Sequence, residues 1–419
     1  MSKFIINGKK ELKGEIEVNG AKNAATPILA ACLLTDQESV LENMPRISDV
    51  LSMLAILESI GVKTEWIGKH KLKIQAKNLN LSKMDKTSIA KMRSSILLLG
   101  PLLARIGQQT IIMPGGCEIG VRPIDTHLMV LANLGAKITK SNKTYLLEAK
   151  KLIGREFTMN EFSVTATENA IMAAVLAQGQ TIIHCAAAEP HVQDLCNFLN
   201  KMGTQIFGIG NHTLKIQGVK KLFGAKHKII SDYTETGTFI CLAGATRGSI
   251  LIKNCDPQFL KMELSKFEQA NINLEIAKDQ ILVKPAKNIK AVSIHNMPYP
   301  GFAADLLQPF AVLMTQARGL SLIHDWMYED RFKYISDLNK MGGRCFLCDP
   351  HRVLIQGPTA LFGREITSYD LRAGASLLIA ALTAKGQSII HQAEIIDRGY
   401  EKIEQRLQQL GADIQRIEA

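Results

Sequence analysis

Between Ile111 and His127 the chain reads I-I-M-P-G-G-C-E-I-G-V-R-P-I-D-T-H, and the residue there best suited to chemistry is Cys117. A short apolar strand runs into Pro114, Gly115 and Gly116, which neither extend a strand nor open a helix well, so the cysteine is expected on a loop. Arg122 follows five residues later, with Pro123 and Asp125 behind it. A thiol on a glycine-rich loop near a fixed cation gains a lowered pKa and access to a ligand; a cysteine that packs as a small hydrophobe is the other reading.

Further polar residues gather where apolar helices are expected to begin: Lys22-Asn23, Arg93-Ser94, Asp305 and Arg372. Others fall in loops beyond the following strands, at Asp325 to Arg331 and at Asp397-Arg398. Helix N-termini attract anions through free backbone N–H groups and the dipole. Arginine recognises carboxylate and phosphate in bidentate fashion, and lysine is a compact phosphate-seeking charge. Asn23 could hold a sugar or cap a helix, and Asp305, in P-G-F-A-A-D-L-L, reads either as N-cap of a helix from Leu306 or as a base for a hydroxyl.

The elements that must position these residues come as an internal repeat. A helix-like segment closing in Gly before a strand recurs at ESIGVKTEW (58–66), ANLGAKITK (132–140), NKMGTQIFG (200–208), NKMGGRCFL (339–347) and QQLGADIQR (408–416). A sixth copy, EQANINLEI (268–276), has Ala270 read in the glycine's place, and the period is about seventy residues. A second helix, rich in Ala and Leu and apolar nearly all round, also recurs six times, as in AIMAAVLAQGQTIIH and SLLIAALTAKGQSIIH, which argues burial on every face. A pair of short strands is expected ahead of each. Every unit thus reads strand, strand, buried helix, strand, outer helix, strand, and six of them predict an α/β fold of two prism-like domains with three units each. Residues 22–229 form the predicted N-terminal domain with the Cys117 loop. Residues 1–21 rejoin 230–419 in the other, which carries Asp305, Arg331, Arg372 and Arg398.

The 419 residues, 46% hydrophobic and 21% charged, describe a globular protein too long for one core. No apolar signal region or bilayer-length apolar run is evident, so a cytoplasmic protein without membrane insertion is expected. A net charge of +11 points to anionic ligands, yet aromatics are only 5% and the arginines of interest stand singly, which favours small phosphorylated or carboxylated substrates over nucleic acid. Apart from Cys117 the cysteines lie in apolar patterns. The lone pair Cys345 and Cys348 lacks the partners of a zinc set, so no metal is expected.

Taken together, N-G-A-K-N (19–23), K-M-R-S-S (91–95), P-G-G-C-E-I-G-V-R-P-I-D (114–125), E-T-G-T-F (235–239), D-L-R-A (370–373) and I-D-R-G-Y-E (396–401) resemble the enolpyruvyl transferases, over the whole chain and in order. More specifically, they resemble the branch acting on UDP-N-acetylglucosamine. The resemblance implies two domains of three repeats with the active site between them, an inside-out α/β barrel in each. It also implies transfer of enolpyruvate from phosphoenolpyruvate to the sugar 3'-hydroxyl, with phosphate released, as the first committed step of peptidoglycan synthesis. By the same resemblance Cys117 is the acid, and also the residue open to a covalent adduct or to fosfomycin. Asp305 is the base. Lys22, Arg122 and Arg398 hold phosphate and carboxylate, with Arg93, Arg331 and Arg372 around them. Asn23 binds the sugar, and Arg122, Pro123, Ile124, Asp125, Thr126, Phe162, Ser163, Val164, Thr165 and Met327 line the nucleotide pocket. No cofactor is implied, and a monomer or weak homo-oligomer is expected.

The chain departs from the family pattern at Thr165, usually Gly; at Tyr233 and Ala188, usually Arg; and at Ala303-Ala304, usually Pro-Thr. Two other readings stand beside the main one: a substrate-binding paralogue of impaired activity, and the enolpyruvyl transferase of the shikimate pathway.

Overall fold

Six helices carry no polar side and the structure leaves them none to expose. The computed structural model describes residues 2–112, 120, 122–141 and 144–418. The buried helices are α1 (Lys22–Ala31), α2 (Leu99–Ile106), α3 (Val164–Ala174), α4 (Tyr233–Thr246), α5 (Leu307–Met314) and α6 (Leu371–Thr383). All of α5 is buried, and α4 and α6 are buried except for their last residue. Two separate apolar cores result, one around α1 to α3 and the other around α4 to α6.

Each core has its own compact unit: among the described residues, 20–112 with 122–230 make one, and 2–19 with 231–418 the other. Around the helices, among the described residues, stand five four-stranded sheets and one of three strands. The four-stranded sheets share one order. In one of them the short strand Glu156–Thr158 runs parallel to Gln180–His184, which is antiparallel to Thr213–Gln217, which is antiparallel to Gln205–Phe207. Along these strands side chains alternate between core and solvent, as in Gln180–His184, where Thr181 and Ile183 are buried.

The N-terminal strands belong to the unit of the C-terminal half. Ser2–Asn7 lies between Gln387–His391 and Asp413–Glu418, and Lys13–Glu17 pairs in parallel with Ser249–Lys253. Reciprocally, Lys226–Lys228, the strand ahead of α4, pairs with Glu38–Glu42 in the other unit's first sheet.

Two expectations need correction. Ahead of α2 the strand Lys71–Gln75 is present but the second strand of the expected pair is not: the segment after it forms a turn at Leu81–Lys83 and a helix at Lys86–Lys91, and its unit's sheet has three strands among the described residues. The cause is local, since Asp85 accepts from the backbone N–H groups of Thr87 and Ser88 and so caps a helix. In the fourth of the six helix endings, at 268–276, the position matching the glycines is Asn271, one residue past Ala270. Asn271 has φ +59°, as Gly61 has +96° and Gly342 +100°, and Ala270 is fully buried where the others place Ile60 or Met341. Asparagine is the residue that best tolerates this left-handed turn after glycine.

Asn271→Ala should therefore lower the melting temperature by about 2–4 °C, the consequence of roughly 1 kcal/mol of left-handed strain in a unit of this size, while Asn271→Gly stays within about a degree of wild type. Thermal unfolding followed by circular dichroism checks this, and equal melting of all three proteins would refute it.

Candidate active site

Helices that are apolar on all sides can bring polar groups together only at their ends. At the start of α5, Asp305 lies in the turn Ala304–Leu306, and the α-helix proper begins at Leu307. Neither Ala303 nor Leu306, the residues at the two N-cap positions, supplies a side-chain cap. The carboxylate of Asp305 faces two guanidinium groups. Arg331 Nη2 donates to Oδ1 at 3.0 Å and Arg372 Nε to Oδ2 at 3.1 Å. The arginine side chains are 7% and 6% exposed and that of Asp305 28%, so two buried cations hold a partly exposed anion.

The arginines are fixed in turn. Arg331 Nη1 donates to Ala304 O, and its Nε lies 3.6 Å from Asp325 Oδ2. Arg372, the second residue of α6, donates from Nη1 to Tyr400 Oη and from Nη2 to Thr234 Oγ1. Burial opposes the charge of both, but Asp305 and Asp325 around Arg331, and Tyr400 and Asp305 around Arg372, outweigh it and hold both above the ordinary arginine range. Asp370 sets the start of α6 by accepting from Arg372 N and Ala373 N. Fully buried Asp325 sets the following loop, accepting from Asn296 Nδ2, Met327 N and Tyr328 N. Arg398 ends the 3-10 helix Ala393–Arg398 and is half-buried. The next residue must be glycine, because a Cβ on Gly399 would meet Leu371 Cδ2 at 2.7 Å, and this packing brings the segment against the start of α6.

The other unit gathers its own group. Lys22 opens α1 and its Nζ lies 3.2 Å from Asp49 Oδ2; Asn23 beside it is half-buried. Arg93 starts the 3-10 segment leading into α2 and donates from Nη2 to Arg122 O at 2.8 Å, which ties the K-M-R-S-S motif to the R-P-I-D motif. In the latter, Arg122 is half-buried, Pro123 and Asp125 are exposed, Ile124 is buried, and Thr126 donates to Glu161 Oε1. Phe162 is exposed, with its ring edge-on to His212; Ser163 and Val164 begin α3 without a side-chain cap. Thr165 Oγ1 is hydrogen-bonded to His127 Nε2 at 2.9 Å. Cys117 lies outside the described residues. Of the seven other cysteines, five are buried, and burial raises the thiols of Cys32 and Cys345 to about 12.

Sequence reasoning missed Asp49, His127, Thr234 and Tyr400. Tyr400 stands two residues after Arg398 within I-D-R-G-Y-E, so the motif marked it, but its bonds to Arg372 and Thr238 join segments far apart in the chain. Glu235 of E-T-G-T-F proves to be a structural anchor, buried and paired with Arg406 and accepting from Asn19 N. Tyr233 and Ala188 are both buried.

His127 generates a prediction. Burial, and then the charge of Arg93, push its imidazole down to about 3, so the folded chain keeps it neutral while the unfolded chain takes up a proton below the ordinary value of 6.5. Its contribution to stability is present above pH 6.5 and is lost as pH falls toward 3, by up to about 1.4 kcal/mol per pH unit. In urea unfolding at pH 7, 6 and 5, the stability gap between wild type and His127→Gln should narrow as pH drops. A gap independent of pH would contradict this.

The comparisons with known proteins bear on the fold and the family. A family model described as EPSP synthase (3-phosphoshikimate 1-carboxyvinyltransferase) matches residues 6–407. A protein of Borreliella burgdorferi named UDP-N-acetylglucosamine 1-carboxyvinyltransferase is 43% identical, covering all of both chains, and one of the same name from Treponema denticola is 42% identical over 99% of each. Among solved structures, the enolpyruvyl transferase NikO from Streptomyces tendae superposes with a TM-score of 0.90 at 22% identity, over 100% of this chain and 99% of its own. EPSP synthase from Acinetobacter baumannii gives 0.75 at 19% identity over the whole of both. With full-length identity above 40% to such relatives and the same two-domain α/β architecture, the chain belongs to the enolpyruvyl transferases, in the UDP-N-acetylglucosamine 1-carboxyvinyltransferase family.

Proposed function

We propose that this protein transfers the enolpyruvyl group of phosphoenolpyruvate to the 3'-hydroxyl of UDP-N-acetylglucosamine, releasing phosphate, in the cytoplasm. The observation that carries the chemistry is Asp305, a partly exposed carboxylate held at both oxygens by buried arginines. It is a fixed base placed to take the hydroxyl proton as the sugar oxygen attacks C2 of phosphoenolpyruvate. Cys117 delivers a proton to the methylene carbon, giving a tetrahedral intermediate. Loss of that proton with rupture of the C–O bond to phosphate leaves the enolpyruvyl ether.

Cations stabilise the phosphate and carboxylate through these steps. Lys22, Arg122 and Arg398 take that role, with Arg93, Arg331 and Arg372 around them. Asn23 holds the sugar. Arg122 to Thr126, Phe162 to Thr165 and Met327 bind the nucleotide. Residues 22–229 act as one domain, and 1–21 with 230–419 as the other. The name of the matching family model speaks for a shikimate acceptor, but the EPSP synthase structure shares 19% identity against 43% for the UDP-N-acetylglucosamine relative, which favours the sugar nucleotide.

Asp305→Asn keeps the shape and removes the base, so kcat with both substrates should fall by roughly 10²–10⁴, and melting should fall too because Arg331 and Arg372 lose their shared anion. Activity within threefold of wild type would remove Asp305 from this role. Fosfomycin should abolish activity and add its mass to the peptide containing Cys117, read by mass spectrometry. Full activity after treatment with an unmodified peptide would exclude the cysteine.

A further inference from the structure

At their opposite ends, α4, α5 and α6 border a cavity of about 450 Å³ that no step of the reaction uses. Thirteen residues separate Thr234, which holds Arg372, from Arg247 at the far end of α4, about 20 Å along the helix. The cavity is lined by the last residues of the buried helices and by the segment Lys9 to Glu11 crossing below them, with Lys9, Lys10, Arg247 and Lys385 among its walls.

The charges there exceed what the helices need. Lys10 is paired with Asp413 and Glu11 with Lys13. Lys9, Arg247 and Lys385 form no ion pair among the described residues and contribute three positive charges. Three helix C-termini offset about half a charge each, roughly 1.5 in all, so a surplus of about 1.5 positive charges remains. In the other unit the corresponding helix end is closed directly: Arg105 Nη1 donates to Leu33 O at 2.7 Å and to Thr35 O at 3.0 Å. The three free cations make no such bond among the described residues.

Lys9 has φ +62° and Arg247 φ +57°, the left-handed conformation that favours glycine, and the matching residue after α2 is Gly107 at φ +82°. Glycine at either position relieves left-handed strain, so both cations can be removed without threatening the fold.

The cavity wall supplies acceptors. Thr246 and Thr383 donate their hydroxyl protons to Leu242 O and Ile379 O, and Gln316 donates from Nε2 to Thr315 Oγ1 and Thr359 O, which leaves oxygen lone pairs for hydroxyl groups of a ligand. A phosphomonoester carries about −1.5 to −2 charges at pH 7, and the volume lies within the range of small-molecule sites. We propose that this cavity binds a small polyhydroxylated phosphomonoester, of the sugar monophosphate class, with its phosphate on Lys9, Arg247 and Lys385 and its hydroxyls on the threonine and glutamine oxygens.

Isothermal titration calorimetry of the full chain with glucose 6-phosphate tests this without turnover, so its outcome is independent of the reaction proposed above. One molecule should bind per chain, glucose should give no signal, and the variant Lys9→Gly/Arg247→Gly/Lys385→Ala should bind at least about tenfold more weakly, a change of 1.4 kcal/mol. That variant should melt no lower than wild type and keep the basal transfer rate, whereas Lys22→Ala should still bind glucose 6-phosphate. Absence of binding to wild type, equal binding by the triple variant, loss of binding in Lys22→Ala alone, or a melting point lowered by the glycines would each overturn the proposal.

Discussion

The constraint behind the whole molecule is that each unit is built on three helices with no polar side. Burying them on all faces removes a large apolar area from water, and it also penalises charge along their length: inside α3, burial pushes the carboxyl of Glu168 well above its ordinary range. Polar chemistry is therefore concentrated at the helix ends. Lys22, Asp305 and Arg372 all stand within the first turn of a buried helix or the turn leading into one, and the basic cavity lies where three such helices stop.

A second consequence is that the site is rigid by construction. Asp305 cannot turn without breaking two arginine contacts, and those arginines cannot move without releasing Ala304 O, Tyr400 and Thr234. A base whose orientation is settled before the substrate arrives needs no reorganisation when it acts, which is how preorganised groups contribute to rate. The same network explains why D-L-R-A and I-D-R-G-Y-E matter together although they lie apart in sequence: Arg372 from one meets Tyr400 from the other.

Periodicity made the architecture legible. Six apolar helices and six outer-helix endings fixed the number of units, and those features depend on burial alone, which composition reports faithfully. The failures were local. Ala270 was read one residue off because asparagine in a left-handed turn looks like ordinary polar sequence, and the strand expected ahead of α2 gave way to a helix capped by Asp85. Site residues in the motifs could be named, but what each one touches could not. The segment around Asp305 favoured a cap over a base, and its contacts to Arg331 and Arg372 come from residues too far along the chain to be read locally. Thr165, a departure from the family pattern, turns out to engage His127, a partner invisible without coordinates.

The account stands on acceptor-dependent chemistry at Asp305. The most direct measurement is phosphate release from phosphoenolpyruvate by the purified protein with either UDP-N-acetylglucosamine or shikimate 3-phosphate as acceptor. Steady release with the sugar nucleotide and none above background with the shikimate compound is the predicted result; release with shikimate 3-phosphate alone, or with neither, would contradict it.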